Sequence, residues 1–300
     1  MDRYLEGEQR VFASHNLNAH VRSFALAQPR IELRTVEVGA GEPILFLHGY
    51  SLCAAHWAPL MHRLRDFRCV AVDQPGHGGT SAFDFRGVNL RSWYLQLLTA
   101  TLDHLGMDSV HLVGHSQGAM QALWLALDAP QRVRSVIAIG TPAVAFGAAL
   151  PGNMRLLARP VIGPLMFGMP KPARQYRRIL ESTIGTGAVT KASDDLIRTT
   201  YLACRVPGFG TTVSRYLREM FKGADAGAPQ YVLDDMELER INQAVLVLMG
   251  DGDSYQPAGA VADRVSRIPR GHLATVAGGH EPWLDNIDVC AGAMAAALSS

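Results

Sequence analysis

A serine framed by glycines, Gly114-His115-Ser116-Gln117-Gly118, is the segment of this 300-residue chain best suited to chemistry. It follows the apolar run Val110-His111-Leu112-Val113 and opens a helix-like stretch, Ala119 to Ala129. A G-x-S-x-G between strand and helix is a nucleophile elbow: the turn is so sharp that only glycine leaves room on either side of the serine main chain. The Ser116 hydroxyl would then project clear of the sheet. A serine hydroxyl is a poor nucleophile at neutral pH. It needs a histidine to take its proton and a carboxylate to orient that histidine.

With such an elbow the partners follow in the order serine, acid, histidine. Beyond residue 233 the only histidines are His272 and His280. His272 opens the last apolar run, whereas His280 lies just after it in Ala277-Gly278-Gly279-His280-Glu281, at the carboxyl end of a strand. His280 is therefore the expected base. The acid comes from Gly250-Asp251-Gly252-Asp253, which follows the run Val245 to Met249. Asp253 lies farther into the loop and can reach the histidine. Asp251 is the alternative, better suited to satisfy main-chain donors of the turn. An oxyanion requires two main-chain N–H donors. Gln117, next to the nucleophile, is one. The other is expected from His48-Gly49-Tyr50, where Gly49 allows close approach and Tyr50 donates.

Positioning these groups requires strands that end on one edge. Continuous apolar runs at Pro43–Leu47, Cys69–Val72, Val110–Val113, Val136–Ile139, Val245–Met249 and Leu273–Val276 suit central parallel strands, and Ile31–Val38 reads as an early, partly exposed one. Such alternation predicts an α/β fold with ligands at the carboxyl ends of the strands. The alternation lapses after Thr141. Pro142, Pro151, Pro160, Pro164, Pro170 and Pro172 precede helical spacings such as Tyr176, Ile179, Leu180 and Ile184. Residues 142–233 are expected to form a helical cap, with 1–141 and 234–300 as the core. Between Arg155 and Lys222 the cap carries 12 Lys or Arg against 4 Asp or Glu. Solvated helix faces explain that bias most simply. A cap that attracts an anionic substrate or an acidic carrier protein is the sharper reading, through residues such as Arg174, Arg177 and Arg178.

The totals exclude several other classes. With 48% hydrophobic and 18% charged residues and a net charge of +1, the chain has no overall pull to nucleic acid or membrane. Its four scattered cysteines form no C-x-x-C pair, which points to free thiols in a reducing compartment. The polar N-terminus and the absence of a long apolar run give a cytoplasmic expectation without membrane insertion. Tyr255 and Gln256 break a calcium-loop reading of the Asp-rich turn.

Taken with Asp73-Gln74-Pro75-Gly76-His77-Gly78-Gly79-Thr80-Ser81, these motifs resemble the α/β-hydrolase superfamily, in its capped, esterase-like branch. The resemblance covers essentially the whole chain. It implies a mostly parallel sheet flanked by helices, with the cap inserted between late core strands. Two departures matter: the HGGG oxyanion loop of many lipases is missing, and the elbow holds Ser116 where relatives that open epoxides or break carbon–halogen bonds usually carry Asp. The expected activity is hydrolysis of a small-molecule carboxylic ester through an acyl-enzyme on Ser116, with no cofactor or metal. Thioester or carbon–carbon hydrolysis would use the same residues, and a ligand receptor could retain them. Leu165, Met166, Phe167 and Met169 are candidates for an apolar acyl pocket.

Overall fold

The computed structural model describes residues 1–140, 142, 144–148, 152–222 and 231–299, apart from the side chain of Asn153. Thr141 and Pro151, named above at the start of the cap, lie outside the described residues. Eight strands form one sheet: β1 (His20–Ala27), β2 (Arg30–Val38), β3 (Pro43–Leu47), β4 (Arg68–Val72), β5 (Val110–His115), β6 (Val133–Ile139), β7 (Ala244–Gly250) and β8 (Gly271–Val276). Their order is β1-β2-β4-β3-β5-β6-β7-β8. β3 to β8 run parallel, while β1 and β2 pair antiparallel.

Successive side chains of a strand face opposite ways, so the continuous apolar runs supply two cores. Leu45, Leu47, Val70 and Leu112 join one, with the helices Leu90–His104 and Gln117–Asp128. Ile44, Phe46, Ala71 and Val113 join the other, with the helix Ile287–Leu298. After β3 the chain turns to one side for β4, then crosses to the other for β5. The crevice outside β3 and β5 is therefore a topological switch point, where such sheets bind ligands.

Two elements differ from expectation. β1 has no sequence signature: only Phe24 and Leu26 of this edge strand are buried, too short an alternation to mark a strand. Pairing with β1 on one side and β4 on the other also makes β2 a more buried strand than its pattern promised, from Arg34 to Val38.

Arg34 is buried because it has partners. The N-terminal helix Asp2–Ser14 brings Glu8 to it, and Asp73 Oδ2 accepts from Arg34 Nη1 at 2.7 Å. Tyr4 donates to Glu8 at 2.8 Å. Asp73 also accepts from the main-chain N–H groups of Ala54 (3.0 Å) and Gly79 (3.1 Å), tying the loop after β4 to the one after β3. Burial works to raise the Asp73 carboxyl, but Arg34 and these N–H groups outweigh it and hold it below its ordinary value.

Between β6 and β7 the helices Gly152–Leu157, Ile162–Gly168, Ala173–Ile184, Thr186–Lys191, Asp194–Ala203 and Phe209–Phe221 form the inserted helical layer. No helix among the described residues is long and apolar enough to cross a membrane.

Candidate active site

The elbow owes its shape to two close approaches. A Cβ on Gly114 would lie 2.4 Å from Gly118, and one on Gly118 would lie 2.0 Å from the Leu47 carbonyl oxygen. With no side chain at either position, the helix Gln117–Asp128 starts directly behind the strand. Ser116, between them, takes φ 51° and ψ −109°. A non-glycine residue held there costs about 1–3 kcal/mol, which the surroundings must offset. Hydrogen bonds from Ser116 N–H to the Ile139 carbonyl and from Met120 N–H to the Ser116 carbonyl, both 3.1 Å, hold the turn.

His280 follows β8 and Asp253 follows β7, as the spacing implied. His280 Nδ1 stands 2.8 Å from Asp253 Oδ2. The other carboxylate oxygen accepts from Tyr255 N–H at 3.0 Å, so the aspartate is fixed from two sides. His280 Nε2 is buried and has no hydrogen-bond partner among the described residues, so the nitrogen that would act as base is unspent. Ser116 and His280 line the same cavity. Asp251 and His272 are both exposed. Asp251 accepts from Gly278 N–H at 3.1 Å, the turn-closing role that made it the lesser candidate.

Tyr50 sits in the loop after β3, beside the elbow. Gly49 presses so closely on His115 that a Cβ there would meet its Nδ1 at 2.5 Å. Among the described residues neither Tyr50 N–H nor Gln117 N–H has an acceptor. Gln117 opens a helix, whose first N–H groups lack internal partners and carry the positive end of its dipole. An oxyanion beside Ser116 would find both N–H groups uncommitted among the described residues.

The loop is braced from below. His48 donates from Nδ1 to the Gly49 carbonyl at 2.8 Å and accepts Gln74 N–H on Nε2 at 2.9 Å, which requires a neutral ring. Burial, with His77 adding repulsion, pulls His48 down to about 3. Burial likewise pulls His77 down to about 4. Unfolded, both would titrate near 6.5. Stability is then full above pH 6.5 and falls as the pH drops toward 4, because the unfolded chain binds the extra protons. Each ring contributes about 1.4 kcal/mol per pH unit in that window. Urea unfolding at pH 7.5 and pH 5 is the check, and an unchanged midpoint would contradict it.

Several contacts around the base join residues far apart in sequence. His115 Nε2 lies 3.1 Å from the His280 carbonyl oxygen, and the Tyr255 and His280 rings are 4.3 Å apart. Glu281 Oε2 lies 3.0 Å from His56 Nδ1. Thr200 donates its hydroxyl proton to the Leu196 carbonyl, so His56 Nε2–H donates to Thr200 at 2.7 Å. The base-bearing loop is thereby tied to the cap helix Asp194–Ala203. Only the adjacency His280-Glu281 hinted at this.

The cavity measures about 530 Å³, within the range of small-molecule sites. Met120, Leu180, Ile184, Leu217 and Met220 make it largely apolar. The Tyr176 and Tyr216 hydroxyls are buried in its wall without a partner among the described residues. Of the four candidate pocket residues, Met166 and Phe167 line the cavity. Leu165, on the helix Ile162–Gly168, and Met169, just past its end, do not: both are exposed. All four cysteines are free.

Comparison with known proteins agrees with this architecture. A family model described as "alpha/beta hydrolase fold" matches residues 42–161. The pimeloyl-[acyl-carrier protein] methyl ester esterase of Aromatoleum aromaticum is 30% identical over 83% of this chain and 94% of its own length. The dihydrolipoyllysine-residue acetyltransferase component of the acetoin cleaving system of Cupriavidus necator is 31% identical over 76% of the chain, which spans only 56% of that relative. A carboxylesterase of Bacillus subtilis superposes with a TM-score of 0.78 at 19% identity, covering 99% of this chain and 97% of that one. Because the Aromatoleum relative is 30% identical over 83% of this chain, the chain belongs to the α/β-hydrolase superfamily, on its esterase-like side, and is a hydrolase.

Proposed function

We propose that the protein hydrolyses carboxylic esters through an acyl-enzyme on Ser116. The observation that carries this is the buried His280, paired with Asp253 and with Nε2 unspent, lining the same apolar cavity as a strained serine at a helix N-terminus. His280 takes the Ser116 proton as Oγ attacks the substrate carbonyl. Tyr50 and Gln117 N–H hold the oxyanion, and removing one such donor from a comparable site costs about 10²–10³ in kcat. Collapse of the tetrahedral intermediate expels the alcohol, protonated by His280. Water, activated by the same ring, then releases the acid.

The apolar wall suits an acyl group with a hydrocarbon portion. The hydroxyls of Tyr176 and Tyr216 favour one that also carries a hydrogen-bonding atom, because an unpaired buried hydroxyl costs about 1–3 kcal/mol. A series of p-nitrophenyl esters and acyl thioesters of increasing chain length tests the reading. Ester turnover by the wild type is expected, with kcat about 10⁴-fold lower in Asp253→Asn and within about tenfold of wild type in Asp251→Asn. Equal losses in the two variants would remove Asp253 from its role. Turnover of thioesters alone would move the substrate class while keeping the residues.

A further inference from the structure

Leu165 and Met169, which fail to reach the cavity, belong to a larger exposed surface. The short helix Ile162–Gly168 packs on the helix Phe209–Phe221 through Gly163, Pro164 and Phe167. Its other face presents Val161, 76% exposed, and Leu165, 63% exposed, with Ile162 and Met169 beside them. Leu156 and Ile179 are exposed too, and both also line the cavity that holds Ser116. The apolar surface is therefore continuous with the entrance to the site. Large side chains left in water at this density mark an interaction surface.

Its charge is equally one-sided. From Arg155 to Leu180 there are six Lys or Arg and no Asp or Glu. Arg177 pairs with Asp194, but Arg174 and Arg178 are exposed and have no ion pair among the described residues. Exposed apolar side chains and arginines in the same stretch of chain are suited to a water–lipid boundary, where the apolar groups enter the acyl region and the cations meet anionic headgroups. A second copy of this face would bring arginines against arginines. An acidic protein would answer the cations and leave the six exposed apolar side chains unexplained.

We propose that the rim formed by residues 155–179 docks on an anionic lipid surface, so that the mouth of the cavity opens onto the bilayer and admits lipophilic acyl esters from it. The ester class rests on the function proposed above; the docking does not. The test is cosedimentation with vesicles of phosphatidylcholine, with and without phosphatidylglycerol. Binding is expected only when phosphatidylglycerol is present, and it weakens as salt is raised. Arg174→Gln with Arg178→Gln should weaken it about thirtyfold, since a basic residue near such a surface is worth about fivefold. Val161→Asp with Leu165→Asp should abolish it. Neither pair should change turnover of a short soluble ester, which reports that the fold and site are intact. Ser116→Ala should bind vesicles like the wild type, so loss of turnover and loss of docking are separable. Absence of vesicle binding, binding indifferent to these substitutions, dimerisation through this face, or capture of an acidic carrier protein with vesicles ignored would each overturn the proposal.

Discussion

Ser116→Ala is expected to lower kcat for a p-nitrophenyl ester by about 10⁴–10⁶, with KM little changed, because the serine and histidine of such a unit act together. The substitution removes one oxygen from a residue whose conformation is imposed by its surroundings, namely the missing Cβ atoms of Gly114 and Gly118 and the hydrogen bonds to Ile139 and Met120. The elbow should therefore persist, with an unchanged circular dichroism spectrum and urea midpoint. Combining Ser116→Ala with His280→Ala should add little further loss, since a base without its nucleophile has nothing to deprotonate. Residual activity within about tenfold of wild type would mean that another group attacks the substrate.

Arg34→Met is expected to cost about 3–5 kcal/mol of stability, a large share of the 5–15 kcal/mol typical of a folded domain. Arg34 is buried between Glu8 and Asp73, so its loss leaves two carboxylates in the interior without their cation. Asp73 also holds the N–H of Ala54, a few residues past Tyr50, and a disturbed Asp73 should reduce activity beyond the loss of folded protein. Adding Glu8→Leu to Arg34→Met should recover part of the stability, because one of the two stranded carboxylates goes with it, while Asp73 stays to accept from Ala54 and Gly79 N–H. Urea unfolding of the single and double variants measures both effects. A midpoint unchanged in Arg34→Met would show that the cluster is not needed.

The residues of the candidate site were legible because each lies where a strand stops and a short motif begins. Ser116, Asp253 and His280 are separated in sequence but follow β5, β7 and β8, and parallel strands deliver their ends to one edge. Choosing Asp253 over Asp251 needed only that the second aspartate lies farther along the loop. Other features had no local signature. The helix Asp2–Ser14 buries Tyr4, Glu8, Val11 and Phe12, a regular face in which the glutamate reads as solvent-exposed until Arg34 is known to meet it. Glu8, Arg34 and Asp73 come together only through the fold, as do His56, Thr200 and Glu281. In the cap, Leu165, Met166, Phe167 and Met169 looked alike as apolar residues. The short helix Ile162–Gly168 and the residue after it send two into the cavity and two to the surface, and packing on the neighbouring helix Phe209–Phe221 decides which.

The claim that Ser116 carries the acyl group can be read directly by mass. Mixing the enzyme with excess p-nitrophenyl ester and quenching with acid within the first turnover should capture the protein heavier by one acyl group, with the added mass on the peptide containing Ser116. A burst of p-nitrophenol equal to the enzyme concentration should accompany it where deacylation is the slower step. An acyl group found on another residue, such as the cavity-lining Cys204, would contradict the assignment. So would steady turnover with no covalent species at any quench time.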